Sequence, residues 1–446
     1  MSRLIFSELE FGRYDFGMQS IEINNDHNKK NVHEIANIIN SRSLSSFSKE
    51  ELEIYKTYKH ERTHQLDCTA TLWGMEYTCR MYNWYNNPSS KYLEVISLND
   101  AEVQMHTKFV SANSEACIFK EVKFSLEYDD MCGVFIKGYY LNNYDEIVHT
   151  IAVTMLSLLE GHAYAQEQLI ACELYEERND LVSIRLLENE VKKIINDFKS
   201  TEYSCFLAMI NCYFPNLKLI QQLRLMILVC RFSLNAPNMF LSIFPEEYIK
   251  ICFPSAKDEY ISSLSMELKR GMHRGTYALI LLICLAKYSS KTQEISNSTS
   301  FEDMENTLLK IYLKEGEGLS DVRDVLRMQW SIEFEVLHNA LYEKNATLAF
   351  MISKQFIDKY WYFDDLDTLF LPDFHTSDGE KVESSNRLDF DMNCHIDSMI
   401  QKVVDLEKAI EQYGMTRRHL APQVYHDWLL RIKSGETGVR FYPSNF

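Results

Sequence analysis

Breakers of regular structure are scarce in this chain. Only 8 prolines and 14 glycines occur in 446 residues. That excludes collagen-like and proline-rich architectures and leans toward long helices, which tolerate few of either residue. Long apolar runs are also missing. The two most apolar stretches, Ile151–Leu159 and Ala278–Ala286, fall well short of the roughly 20 residues that span a bilayer. Positive charge is in deficit: 46 Lys and Arg face 64 Asp and Glu, a net of −18. No general field therefore draws the chain to nucleic acid or to an anionic membrane, and neither is expected as a partner. The 11 cysteines include no Cys-x-x-Cys pair, which removes the cysteine-rich structural zinc site. The opening MSRLIFSELEFGRYDFG has no cationic stretch leading into an apolar run. The expectation is a chain without a secretory signal, with reduced thiols, in the cytoplasm. Glycine-rich phosphate loops of either common type are absent.

What remains is a globular composition, 46% apolar and 25% charged, long enough for two to three domains at roughly 100–200 residues each. Leu4–Phe6 and Ile21–Ile23 read as short strands. Ser48 and Glu51 have the spacing of a capping box. That places a helix start near Lys49, with the helix running through Leu72 and bending or ending at Gly74. Glu102–Val110 alternates apolar and polar residues, as do Val122, Phe124, Leu126 and Tyr128, and aromatic-rich Val134–Leu141 follows. Period-two patterning between Asn, Asp and Gly breaks predicts an antiparallel meander. A second long helix is expected from near Asp145 to about Tyr175.

From Asp180 onward helical periodicity dominates, beginning with Leu181, Ile184, Leu187, Val191, Ile194 and Phe198. Further helices are expected at Leu217–Phe232, Tyr260–Tyr288, Glu302–Lys314, Asp321–Phe356, His395–Gln412 and Gln423–Ile432. Ser289–Ser300 and Pro372–Asn386 read as loops. No fixed-period repeat is evident. The expected class is α+β: a mixed region over residues 1–177, then an all-α region over 178–446.

The informative segment is His60-Glu61-Arg62-Thr63-His64. On a helix, residues four apart share a face about 6 Å apart along the axis, so two imidazoles there can bind one zinc ion. A catalytic zinc takes three protein ligands and keeps a position for water. Glu61 then stands beside the metal without binding it, the place of a general base. The competing account is a solvated helix face with two incidental histidines.

A third ligand is needed, and Glu160 is the best candidate. His162 lies in the same segment, but two residues turn a helix by about 200°, so it faces nearly opposite Glu160. His149 would share Glu160's face yet lie ~16 Å away along that helix. Tyr164, one turn after Glu160, has the chemistry to donate to the oxyanion of a tetrahedral intermediate; an aromatic core residue is the competing reading. Asp67, one turn after His64, is placed either to orient an imidazole or as a surface carboxylate. Cys68 reads as a buried thiol rather than a nucleophile. Arg417, Arg418 and His419 form a basic cluster that reads as a solvated turn.

Taken together, His60-Glu61-x-x-His64-x-x-Asp67-x-Thr69-x-Thr71-x-x-Gly74, followed by Glu160-Gly161-x-Ala163-Tyr164, resembles the gluzincin-type zinc metallopeptidases with their HExxH motif, closest to a little-characterised bacterial group. The resemblance covers about residues 48–175. It implies a zincin-like fold, Zn2+ held by His60, His64 and Glu160, and Glu61 as the base that deprotonates a zinc-bound water for peptide hydrolysis. The expected partners are a protein or peptide substrate and a regulatory protein bound by the helical region. An effector protease in bacterial stress or defence would suit such control. The alternative is a non-catalytic interaction module in which the metal site is structural or vestigial.

Overall fold

A computed structural model of the chain describes residues 12–24, 30–41, 43–86, 105–106, 108–109, 118–129, 133–243, 246–269, 273–287, 295, 300–312, 318–357 and 369–412. In chain order the elements begin with strands β1 (Gly12–Asp15) and β2 (Ser20–Ile23), then helices α1 (Val32–Ile39), α2 (Lys49–Ala70) and α3 (Leu72–Asn86). Strands β3 (Glu121–Asp129), β4 (Gly133–Leu141) and β5 (Ile147–Val153) lead into α4 (Met155–Glu177). A helical series follows: α5 (Leu181–Ile195), α6 (Thr201–Tyr213), α7 (Leu219–Asn235), α8 (Asn238–Ile243), α9 (Glu246–Cys252), α10 (Asp258–Lys269), α11 (Arg274–Lys287), α12 (Phe301–Leu309), α13 (Leu319–Glu343) and α14 (Thr347–Ser353). Strands β6 (Phe374–Thr376) and β7 (Lys381–Val382) precede α15 (Met392–Gln412). The class is mixed α and β, dominated by helix, with small sheets.

The chain forms two compact units, one from residues 1–100 with 333–442, the other from 101–332 with 443–446. In the first, β1 and β2 make a hairpin with Gly12 opposite Ile23 and Asp15 opposite Ser20. Gln19 closes its turn at φ 55°. β2 then pairs in parallel with β6, Glu22 opposite His375, and β6 pairs antiparallel with β7. Helix α2 packs against this sheet and against α1, α3 and α14. Its start is fixed by the capping box: Ser48 accepts from the Glu51 amide and Glu51 accepts from the Ser48 amide. These bonds satisfy donors that a helix start otherwise leaves without partners.

The second unit combines a three-stranded meander, β3-β4-β5, with a helical cluster around α4, which packs on α5, α6 and α7. Every residue from Met155 to Ala165 is buried, so α4 has no solvent face over its first three turns. This is the signature of a core helix rather than a surface amphipathic one. Thr154 caps it, accepting from the Ser157 amide at 3.3 Å.

Several expectations are met. Ile21–Ile23, the helix start at Lys49, and the strands around 122–128 and 134–141 stand where the patterning placed them. Others need correction. Met105, His106, Lys108 and Phe109 are helical, where a strand was expected over Glu102–Val110. Met105 and Phe109 both join the cluster of Phe135 and Ala152, and a spacing of four serves a helix face as well as a strand face. The helix expected from Asp145 starts ten residues later. Residues 147–153 carry Ile147, Val148, Thr150, Ile151 and Val153 and form β5 instead, as branched side chains favour.

The region after 178 is not all-α. The expected loop Pro372–Asn386 contains β6 and β7, whose buried Phe374 and Val382 are too few to read as a periodic signal. The helices expected over 260–288 and 321–356 each divide, with left-handed backbone at His273 (φ 56°) and Asn345 (φ 60°). The break after α2 falls at Thr71, extended at φ −104° and ψ 157°, and not at Gly74, which belongs to the first turn of α3. The compact units are drawn elsewhere than the expected division at 177/178, which falls inside the second unit between α4 and α5. Leu4–Phe6, Arg417–His419, Gln423–Ile432 and most of Ser289–Ser300 lie outside the described residues. No described helix is long and apolar enough to cross a membrane.

Candidate metal centre

His60 and His64 project from one face of α2, their ring centroids 4.9 Å apart and their planes at 77°. His60 is half-buried and His64 buried. The His64 ring also lies 5.9 Å from that of Phe16 in the β1–β2 turn. The helix carrying the pair is braced behind it. Gln65 donates from Nε2 to the Gln19 carbonyl at 3.1 Å, and Gln19 donates to Thr78 Oγ1 at 3.2 Å. Thr78 in turn donates to the Cys68 carbonyl at 3.1 Å. Past the C-terminus of α2, Thr71 Oγ1 accepts from the Gly74 amide at 3.0 Å.

Arg62 stands two residues from each histidine, about 200° around the helix and so on the far side. It is 1% exposed. Its Nη2 donates to the Pro372 carbonyl at 2.7 Å and to Ser384 Oγ at 3.0 Å. Its Nε donates to Tyr58 Oη at 2.9 Å, and Nη1 donates to Gln65 Oε1. The guanidinium also lies over the Tyr58 and Phe374 rings. Reading the motif for chemistry alone misses this residue. Its signal was the Tyr58/Arg62 pair one turn apart on an otherwise aromatic face.

Glu160 is set in α4 of the second unit and is 1% exposed. A Cβ on its neighbour Gly161 would meet Met226 Cε of α7, the end of a flexible side chain, at 2.5 Å, so α7 packs closely against α4 here. Two imidazole donors thus share one face of α2, while Glu160 belongs to the other compact unit. Two imidazoles and a carboxylate are the donor set of open, three-ligand zinc sites.

The remaining sequence candidates fall as follows. Glu61 is buried on α2 next to His60, and Asp67 is buried rather than a surface carboxylate. His162 is buried on α4, with Gln166 Nε2 at 3.5 Å from its Nε2. Tyr164 is buried, its ring 6.1 Å from that of Tyr203. His149 is a strand residue of β5, so its supposed helical alignment with Glu160 does not exist. It stacks on Phe198 at 4.2 Å. Cys68 is the buried thiol expected. Burial pushes its pKa well up, the charge of Asp67 adds to this, and a hydrogen bond with Tyr14 opposes it. Comparison with family models, with curated proteins and with solved structures gives no match.

Proposed function

We propose that the chain is a zinc-dependent metallopeptidase of gluzincin type. The observation that carries this reading is the pair of imidazoles on one face of α2, ring centroids 4.9 Å apart, with the buried Glu61 beside the first of them. His60, His64 and Glu160 would hold the metal. A zinc ion bound there supplies a Lewis acid that polarises a carbonyl oxygen and acidifies water. Glu61, adjacent to a ligand and itself uncommitted to the metal, takes the proton of the attacking water on its carboxylate. It then returns that proton to the leaving amine. Tyr164, one turn beyond Glu160, is the candidate donor to the oxyanion.

In this reading the substrate is a protein or peptide, the setting is the cytoplasm, and the helices after 178 bind a regulatory partner. An effector role in bacterial stress or defence fits a peptidase so controlled.

The test joins metal analysis to turnover. Purified protein should carry about one zinc per chain. Glu61→Gln should retain that zinc and the thermal unfolding midpoint while hydrolysis of a casein or peptide-library substrate falls by at least about 10²-fold, as expected for loss of a general base. Zinc-free protein would remove the reading. Zinc-bound wild type without hydrolysis of any peptide in the library would favour the non-catalytic interaction module.

A further inference from the structure

Helices α9 and α11 pack on each other in the second unit, and two cysteines meet where they do. Cys252 is the last residue of α9. Its Sγ lies 3.8 Å from Sγ of Cys284. It also lies 3.9 Å from the carbonyl oxygen of Ile280, one turn earlier on α11. At 3.8 Å the two sulfurs are in direct contact.

The two thiols differ in access. Cys284 is 1% exposed and sits in α11, whose residues from Arg274 to Leu285 are all buried. Cys252 is half-buried, so a small solute reaches its sulfur before that of Cys284. The hydrogen bond with Cys284, and burial after it, push the Cys252 thiol up, and the charge of Lys287 pulls the other way. Lys287 is three residues past Cys284 and donates to the carbonyl of Ile251, next to Cys252. At rest the pair is therefore two thiols. Two cysteines packed merely as small apolar residues are the plain alternative. That account leaves unused the three features of a reactive pair: one reachable sulfur, a cation beside it, and a second sulfur in contact behind it.

We propose that Cys252 and Cys284 are a redox-active pair that a hydroperoxide converts to a disulfide. The Cys252 sulfur attacks the peroxide: an S–O bond forms, the O–O bond breaks, and the departing oxygen leaves as alcohol or water with the thiol's proton. The product is a sulfenic acid on Cys252. Sγ of Cys284 then attacks that sulfur. The S–S bond forms, the S–O bond breaks, and the hydroxyl leaves as water with the Cys284 proton. The two thiols lose two electrons in all, and the peroxide takes both. Closing from 3.8 Å to the roughly 2.05 Å of a disulfide is an approach of about 1.8 Å. Cys252 ends a helix of 7 residues, so the approach displaces a helix terminus and not a helix middle. Contact between the sulfurs favours this pairing over one with a second chain. The product staples α9 to α11. This inference does not depend on the metal site and holds whether or not the chain is a peptidase.

The test is mass spectrometry of the full-length protein exposed to hydrogen peroxide, then unfolded and blocked with iodoacetamide. Trypsin cuts after Lys250, Lys257, Arg274 and Lys287, which places Cys252 on Ile251–Lys257 and Cys284 on Gly275–Lys287, each the sole cysteine of its peptide. These two peptides should become linked at a peroxide dose that oxidises the exposed Cys394, and dithiothreitol should separate them. In Cys284→Ala, dimedone should trap Cys252 as its sulfenic acid, with no link formed. In Cys252→Ala, oxidation of Cys284 should slow by about tenfold or more, since a buried thiol without its relay is inert. Thermal melts check that both variants fold, and the wild-type link needs neither variant. Unlinked peptides once Cys394 is fully oxidised, Cys252 linked to a different cysteine, or Cys284 oxidising at the wild-type rate in Cys252→Ala would each overturn the proposal.

Discussion

Arg62 donates a hydrogen bond of 2.7 Å to the carbonyl of Pro372, 310 residues further along the chain. Through this contact the motif-bearing helix α2 is tied to the segment that supplies β6, and β6 completes the sheet begun by β2. The bond joins the two stretches, residues 1–100 and 333–442, that make one compact unit. Truncating the donor would strip this partner from the buried Gln65 Oε1 and Tyr58 Oη and leave the Pro372 carbonyl with only its bond from Ser384 Oγ, and a buried acceptor left unmet costs about 1–3 kcal/mol. Arg62→Met is therefore expected to destabilise the protein by about 3 kcal/mol or more in urea unfolding. A variant within about 0.5 kcal/mol of wild type, the range of an uninvolved surface site, would show that the anchor carries no net stability.

The two candidate ligands on α4 separate by helical phase. Glu160 is the proposed third ligand, and His162, about 200° further round the same helix, faces away from it. Glu160→Ala should lower zinc affinity by about 10²-fold or more, whereas His162→Ala should leave it within a few-fold of wild type. Competition against a fluorescent chelator measures both. The reverse ranking would mean that α4 presents a different face to the metal.

Most of what places the candidate ligands was legible in the sequence, for definite reasons. A capping box is a local signal, and Ser48 and Glu51 fix the register of α2 without help from the rest of the chain. The His60/His64 spacing then follows from the helix itself. Glu160 was readable as helical because apolar Leu156, Leu158 and Leu159 precede it. What could not be read depends on distant partners. The strand preference of Ile147–Val153 merged with the apolar start of α4 into one long run, which concealed both β5 and the true place of His149. The three-residue β6 has no periodicity of its own and exists because β2 offers it an edge. The anchoring role of Arg62 depends on Pro372 and Ser384, more than 300 residues away.

Gly74 marks a close approach rather than a flexible joint. A Cβ at this position would come within 1.9 Å of the Asp67 carbonyl and 2.5 Å of Cys68 Cα, backbone atoms that cannot rotate aside. The start of α3 must therefore separate from the last turns of α2 to admit any side chain. Gly74→Ala is expected to cost about 3 kcal/mol, at the upper end for overpacking. It should also weaken zinc binding, because the displaced backbone lies one turn from His64. Circular-dichroism melts and a zinc titration check the two effects. An alanine variant as stable as wild type would show that the α2–α3 corner has slack.

The last expectation concerns pH and rests on His149. The ring is 1% exposed and stacked on Phe198. Burial, with a smaller contribution from the charge of His106, pulls its pKa down from 6.5 to about 4. The unfolded chain protonates this imidazole near 6.5, the folded chain only near 4. Between those values the unfolded state binds more protons, so acidification favours unfolding. Stability attributable to His149 is complete above pH 6.5 and declines as the pH falls toward 4, by at most about 1.4 kcal/mol per pH unit. His338 and His395, also lowered by burial, act in the same direction, and carboxylates join in at the acidic end. The difference between wild type and His149→Phe isolates the one residue, since phenylalanine keeps the stack and cannot take a proton. Urea unfolding at pH 7.5, 6, 5 and 4.5 should show the variant gaining on wild type at each step down. Parallel stability curves for the two proteins across that range would mean that His149 titrates in the folded state as it does in the unfolded chain.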